Sequence, residues 1–288
     1  MSYWVCVVAR NAAAHLEPTL NSLLNQALQP RLIVVVNDGS SDSTSRILGE
    51  YQSKHPGFFR VLNLPDNGYD IRRVPRNINM AWMNTVREGL KTEYFMISGD
   101  DCAYPPNYAR RLVSLMEAQR RVMVASGRPS TGGSIWREHS PSGSGRVVRC
   151  SFWEEIGGKY PVQAGWETWL LYKALERGYD VELMDDLVFD HFQPRGAKHQ
   201  FAYWGAAMFT LGYHPLYALG RIVKNTVGRH ISVTGSLNML RGYLQASLGS
   251  SDPFIGRFEE SLRGFVCTQQ FDKIERIATS PLQRRTRF

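Results

Sequence analysis

Along the chain, short unbroken apolar runs alternate with stretches whose apolar residues recur every three or four positions. The runs are Tyr3–Ala9, Leu32–Val36, Phe58–Leu62 and Tyr94–Ser98, rich in valine, isoleucine and aromatic residues. Apolar runs of this length, bounded by turn residues, predict strands buried on both faces of a largely parallel sheet. Between them, Leu16, Leu20, Leu23 and Leu24 mark a helix reaching Gln26, and further helices are predicted over Thr44–Tyr51 and Arg76–Leu90. Strand and helix in short alternation predict layered βαβ units. The pattern continues with a helix over Asn107–Arg120 and strands at Val122–Ser126 and Arg146–Cys150. A one-turn helix at Phe152–Gly158, an amphipathic helix from Gly165, and two short strands, Asp180–Met184 and Leu187–Phe189, follow.

The chemistry sits where the strands stop. The first run leads to Asn11, the second to Asn37-Asp38-Gly39-Ser40-Ser41-Asp42, and the fourth to Ser98-Gly99-Asp100-Asp101. Open α/β sheets hold ligands beyond the carboxyl ends of their strands. Adjacent carboxylates such as Asp100 and Asp101 repel, so a cation or a donor-rich ligand is needed to share them cheaply. Any one of these ends alone is an ordinary turn. Several along one sheet edge point to a nucleotide site.

Taken together, Val8-Ala-Arg-Asn11, Ser22-Leu-Leu-Asn-Gln26, Val36-Asn-Asp38-Gly-Ser-Ser-Asp42 and Ser98-Gly-Asp-Asp101 resemble the nucleotide half of a family 2 glycosyltransferase. That resemblance implies an α/β, Rossmann-like GT-A sheet and an inverting enzyme. Pro75-Arg-Asn77 resembles the family's Ala-Arg-Asn element, and Gly165-Trp-Glu167-Thr-Trp-Leu170 its Gly-Glu-Asp-Thr-x-Leu segment. The resemblance implies that Asn11, Asn37, Asp38 and Ser98 face the nucleoside and that Arg76 pairs with a phosphate. It puts Asp100, with His191 as a second ligand, on Mg²⁺ or Mn²⁺ at the diphosphate, and Asp101 and Trp166 on the acceptor side. Glu167 takes the place of the catalytic base; glutamate for aspartate keeps the carboxylate and carries it about one methylene further out. Two positions depart from the family pattern: Asn37 replaces an acid, and Ser98 replaces the first acid of the DxD motif.

The implied activity is metal-dependent, inverting transfer of a hexosyl or N-acetylhexosaminyl group from a UDP-, GDP- or dTDP-sugar. The acceptor is a glycan or lipid-linked hydroxyl, as in polysaccharide biosynthesis. A catalytically degenerate nucleotide-sugar-binding protein is the alternative that the two departures support. A sugar nucleotidyltransferase is a weaker one, because Ala9-Arg-Asn-Ala-Ala lacks the glycines of a phosphate loop.

Composition narrows the setting. Four cysteines, at positions 6, 102, 150 and 267, form no CxxC or zinc spacing, which predicts a reducing compartment and a cytoplasmic protein. No secretory leader pattern and no run of 18 uncharged apolar residues occurs. The net charge of +8 lies wholly in the C-terminal third: residues 193–288 hold 13 basic and 5 acidic side chains, and none from Gln193 to Ser251 is acidic. Residues 202–224 are apolar and aromatic with a break at Pro215, predicting two helices that lie flat instead of spanning. Basic residues near an anionic bilayer contribute about 1 kcal/mol each. This charge predicts peripheral contact of 202–288 with the inner face of a cell membrane; the plain alternative is a helical cap with solvated charge. No motif for nucleic acid accompanies the charge. The domains expected are a catalytic domain at 1–195, with a nucleotide half at about 1–105 and an acceptor half at about 106–195, and a basic, mainly helical extension at 196–288. The glycine- and serine-rich stretch Pro129–Gly145 is expected to be an acceptor-side flap.

Overall fold

The computed structural model describes residues 1–130, 140–193 and 201–285, with side chains as far as 275. Most of the flap stretch therefore lies outside the described residues, as do the last three residues of the basic terminus. The chain divides into two compact units, one of residues 1–162 and 177–198, the other of 163–176 and 199–288.

The first unit is built on a sheet whose eight strands, among the described residues, lie side by side in the order Phe59–Asn63, Ile33–Asn37, Tyr3–Ala9, Tyr94–Ser98, Arg146–Arg149, Val122–Pro129, Asp180–His191, Cys102–Ala103. Strands β1 (Tyr3–Ala9), β2 (Ile33–Asn37), β3 (Phe59–Asn63) and β4 (Tyr94–Ser98) run parallel, joined through helices α1 (Leu16–Leu24), α2 (Thr44–Lys54) and α3 (Arg73–Arg87). Every residue of β2 and β4 is buried, which explains why these segments read as continuous apolar runs instead of alternating ones. Register then fixes the site: Ala9 pairs with Asn37 and Val7 with Ser98, so three strand ends open onto one edge. Leu16, Leu20 and Leu23 of α1 pack into the core with Val5, Val7 and Val35.

Beyond β4 the sheet becomes mixed. β7 (Arg146–Arg149) is antiparallel to both β4 and β6 (Val122–Pro129), and helix α4 (Tyr108–Ala118) precedes β6. Two findings here differ from the sequence expectation. A two-residue strand β5 (Cys102–Ala103) follows the acidic pair, too short to carry a periodic signal. The two strands expected at 180–184 and 187–189 are one strand, β8 (Asp180–His191). Its pairing with β6 jumps from Met184 to Val188, so Asp185, Asp186 and Leu187 form a bulge that reads as a turn in sequence. A short helix α5 (Cys150–Glu155) closes the unit's core through Phe152 and Trp153.

The second unit is helical: α6 (Trp166–Glu176), α7 (Phe201–Thr210), α8 (Pro215–Val227), α9 (Val233–Ser247) and α10 (Glu260–Arg285). The split of 202–224 at Pro215 is as the sequence predicts. α7 and α9 pack backbone to backbone: a Cβ on Gly205 would lie 1.8 Å from the Met239 carbonyl oxygen, and one on Gly242 1.8 Å from that of Ala202. Only glycine fits at either place.

Candidate active site

Each strand end is tied to its neighbours by side chains that the turn chemistry supplies. After β1, Arg10 donates to the carbonyls of Asp38 and Gly39, the latter at 2.8 Å, and pairs with Asp66 at 2.6 Å. Asn11 adopts φ 50°, a left-handed conformation that asparagine tolerates, and its side-chain oxygen accepts from the Ser41 backbone at 2.8 Å. Asp42 caps the other side of the loop, accepting from Ala13 N at 3.1 Å and Thr44 N at 2.9 Å. Burial raises the Asp42 carboxyl, and hydrogen bonds from Thr44 and Ala13 outweigh it, so its pKa falls below the ordinary value. Gly39 sits at φ 66° with Asp66 Cα 2.5 Å from where its Cβ would be, so only glycine lets the 65–66 segment approach.

Asn37 is buried and fully committed. Its amide donates to Ser45 Oγ and Asn63 Oδ1, both at 2.9 Å, and its oxygen accepts from Ser40 N at 3.2 Å. A carboxylate could not donate either of the first two bonds, which accounts physically for an amide where the family pattern has an acid. Ser98 is likewise buried, its hydroxyl 2.9 Å from the Tyr104 hydroxyl and 2.7 Å from the Gly99 carbonyl.

Asp38 faces an arginine that sequence reasoning missed. Arg73 Nη2 and Nε approach Asp38 Oδ2 at 3.0 and 3.2 Å, with the two side chains only 16% and 9% exposed. The Arg73 head also donates to the carbonyls of Asn67 and Gly68, closing the loop ahead of α3. Arg76, the residue expected from the motif, stands one turn further along α3 and is exposed, whereas Asn77 is buried with its amide nitrogen unpartnered. The signal for Arg73 was weak, because Arg72, Arg73 and Arg76 look equivalent in a basic stretch.

The acidic pair is held from below. Asp100 Oδ2 accepts the Arg10 backbone N–H at 3.1 Å, and the Asp100 carbonyl accepts from Thr19 Oγ1, also at 3.1 Å. Thr19 Oγ1 in turn accepts from Cys102 N at 3.1 Å. This threonine, fully buried on the apolar face of α1, is a second residue that sequence reasoning missed; a polar side chain inside a leucine stripe was its signal. Gln26 does a similar job just past the end of α1, donating to the Pro105 carbonyl and accepting from Ala109 N, both at 3.0 Å.

β5 and β8 then bring Asp101 and His191 together. Cys102 pairs with His191 across the ladder, and Phe192 N donates to the Asp101 carbonyl at 2.9 Å. His191 Nε2 lies 3.8 Å from Asp101 Oδ1, and ligand atoms of Asp101, Cys102 and His191 all fall within 4.8 Å of one another. His191 Nδ1 is 2.7 Å from the Gln193 carbonyl. A proton on Nδ1, donated there, puts the lone pair on Nε2, the nitrogen that faces Asp101. Burial pushes the Cys102 thiol up to about 12, and a soft sulfur is a weaker ligand for a hard cation than oxygen is. A carboxylate oxygen beside an imidazole nitrogen suits a cation such as Mn²⁺ better than a soft metal, and Mg²⁺ would rest on the oxygens. Of the two ligands expected from sequence, His191 is in this cluster; the carboxylate closest to it is Asp101, with Asp100 next in the chain and bonded to Arg10.

Trp166 and Glu167 open helix α6 in the second unit. Glu167 is the one acid in the first turn, where the helix dipole favours a carboxylate, and both side chains are half-buried.

Comparison with known proteins places this arrangement. Solved structures with the same fold include the S. aureus TarS 1–349 fragment in complex with UDP-GlcNAc, at 15% identity and TM-score 0.54, over 88% of this chain and 75% of that one. Another is the mannosyltransferase PcManGT from Pyrobaculum calidifontis with GDP-Man and Mn²⁺, at 17% identity and TM-score 0.54, over 87% and 76%. These are GT-A structures, and the likeness establishes that fold here. Among curated proteins, the poly-beta-1,6-N-acetyl-D-glucosamine synthase of Staphylococcus epidermidis is 24% identical over 122 residues, which is 41% of this chain and 26% of that relative. The match thus spans about a quarter of the relative's length. The model of the family described as glycosyl transferase family 2 matches residues 4–177, from the start of β1 to the end of α6. With β1, β2 and β4 ending in the residues described, the chain belongs to glycosyl transferase family 2.

Proposed function

We propose that this glycosyltransferase moves a sugar from a nucleotide-diphosphate donor to an acceptor hydroxyl with inversion, assisted by Mg²⁺ or Mn²⁺. The observation that carries the metal is the meeting of Asp101, just ahead of β5, with His191, at the end of its partner β8, directly after Asp100 in the chain. When bound, such a cation neutralises the charge that builds on the departing diphosphate. The chain's own residues supply the rest. Asn11 and Asp38 orient the nucleoside, and the exposed Arg76 pairs with a phosphate. Glu167 takes the proton from the attacking hydroxyl. Trp166 serves the acceptor, either by stacking on a sugar ring or by packing beside it.

The two ligand-bearing neighbours support a UDP-sugar or GDP-sugar as donor: one carries UDP-GlcNAc and the other GDP-Man with Mn²⁺. The curated relative, by its name a poly-N-acetylglucosamine synthase, supports a glycan acceptor or product. A lipid-linked acceptor agrees with the basic C-terminal third. This reading sets the protein at the inner face of a cell membrane, in peripheral contact through 202–288; no helix among the described residues is long and apolar enough to cross one.

A second reading, a nucleotide-sugar binder without transfer, draws support from Ser98. Its hydroxyl is buried against Tyr104 and is not poised to contact a ribose. Calorimetric titration of UDP, GDP and dTDP with and without Mn²⁺, on wild type, Asp100→Asn and Asp101→Asn, tests the first reading. Binding of one nucleotide that needs the metal and weakens in one of the two variants is expected, and that variant names the ligand. Absence of binding by every nucleotide in the presence of metal sinks it. Transfer of radiolabelled sugar then separates the enzyme from the mere binder.

A further inference from the structure

The helices α8 and α9 of the second unit carry apolar residues on two faces. One is buried, with Ala218, Ile222 and Asn225 from α8 and Gly235, Met239, Gly242 and Tyr243 among those from α9. The other face, exposed, also carries bulky aliphatic residues. On α8, Leu216, Leu219, Val223 and Val227 follow one another at three- and four-residue spacing, with Leu216 73% and Val227 78% exposed. On α9, Val233, Leu237, the partly exposed Leu240 and Leu244 do the same, and Leu248, just past the helix end, is 88% exposed. Residues at such spacing share one face of a helix, so each helix presents a continuous aliphatic stripe outward. Scattered exposed leucines need no explanation; ordered stripes on two consecutive helices mark an interaction surface.

Charge decides what covers it. The segment from Gln193 to Ser251 contains no acidic residue, while Lys224, Arg229 and Arg241 stand exposed on or beside these helices. A surface offering aliphatic side chains with cations and no anions complements a lipid face with negative headgroups. Neither helix can span: 13 and 15 residues reach only about 20 Å at 1.5 Å per residue, against a hydrocarbon core of roughly 30 Å. We propose that the outward faces of α8 and α9 lie in the plane of an anionic bilayer, seating their aliphatic stripes below the headgroups. This rests on the peripheral contact proposed above and assigns it to two helices and one lipid charge.

Flotation of the full chain with phosphatidylglycerol-containing vesicles and with pure phosphatidylcholine vesicles tests it. At low salt the bound fraction on anionic vesicles is expected to exceed that on neutral ones at least tenfold, and to fall as salt rises. Leu237→Glu with Leu244→Glu should reduce anionic binding at least tenfold, and Lys224→Glu with Arg241→Glu should do so without touching the aliphatic stripe. Nucleotide binding by calorimetry, unchanged in all four substitutions, establishes that the variants are folded and reads the transferase proposal separately. Flotation that is absent in wild type, or indifferent to both pairs, overturns the assignment. So does light scattering that shows a dimer which the Leu237→Glu, Leu244→Glu pair dissociates, because a second copy then covers the face.

Discussion

Asp38 and Leu248 both break ordinary rules of placement, one a carboxylate that is almost buried, the other a leucine that is almost bare. The two regions handle the cost differently. At the sheet edge the chain compensates from within: Arg73 faces Asp38, Arg10 faces Asp66, and the Arg10 backbone faces Asp100. On α8 and α9 nothing among the described residues covers the exposed aliphatic side chains. The lesson is that internally matched strain marks a site poised for a small ligand, whereas unmatched exposure marks a face that waits for something large. Substitutions at the edge should alter binding chemistry and stability, and those on the outward helix faces should alter association alone.

The strongest way to break that contrast is at the proposed base. Glu167→Gln is expected to lower turnover about 10²- to 10⁴-fold while nucleotide affinity stays within twofold. Steady-state transfer assays beside calorimetry decide it, and wild-type turnover in the variant would remove Glu167 from the mechanism. Next in size, His191→Ala and Asp101→Asn should each weaken Mn²⁺-dependent nucleotide binding by roughly 10- to 100-fold. Cys102→Ser should leave it within twofold, since a soft sulfur adds little to the binding of a hard cation; a large loss there would make the sulfur a ligand.

Stability sharpens the comparison further. Arg73→Ala strips a nearly buried carboxylate of its charged partner and should cost about 1.5–3 kcal/mol, read as a lower urea midpoint. Gly242→Ala drives a methyl group into the Ala202 carbonyl and should cost about 1–3 kcal/mol by the same measurement. Leu237→Glu, a few residues away on the outward face of α9, should change stability by no more than about 0.5 kcal/mol. An equal loss in the last two would mean that the aliphatic stripe is part of the fold and not a docking surface.

Much of this was legible in the sequence, for definite reasons. Ile33–Asn37 and Tyr94–Ser98 are buried on both faces, so their strands announce themselves as apolar runs, and the polar residues that end them mark the edge. Motif spacing carried Asn11, Asp38 and the acidic pair to that edge. What was hidden depended on pairing over distance. β5 is two residues long and exists because β8 lies beside it. The Asp185-Asp186 bulge reads as a turn because its carboxylates point away from a strand that continues past them. Arg73 and Thr19 could not be chosen from their neighbours in sequence, because their partners, Asp38 and Cys102, lie 35 and 83 positions away.

The two-residue strand β5 has a further consequence, in the currency of local opening. Asp101 and His191 face each other only while Phe192 N–H keeps its bond to the Asp101 carbonyl and β5 stays paired with β8, and a ladder so short frays at low free-energy cost. Any cation that bridges the two side chains binds only the closed arrangement. It therefore withdraws the open one by mass action, by about 2.7 kcal/mol at a hundred times its dissociation constant. The amide proton of Phe192 should then exchange with deuterium about a hundredfold more slowly once Mn²⁺ and nucleotide are added, while those of β1 and β2 scarcely change. Read this way, the edge of the sheet reports its own occupancy, one amide at a time.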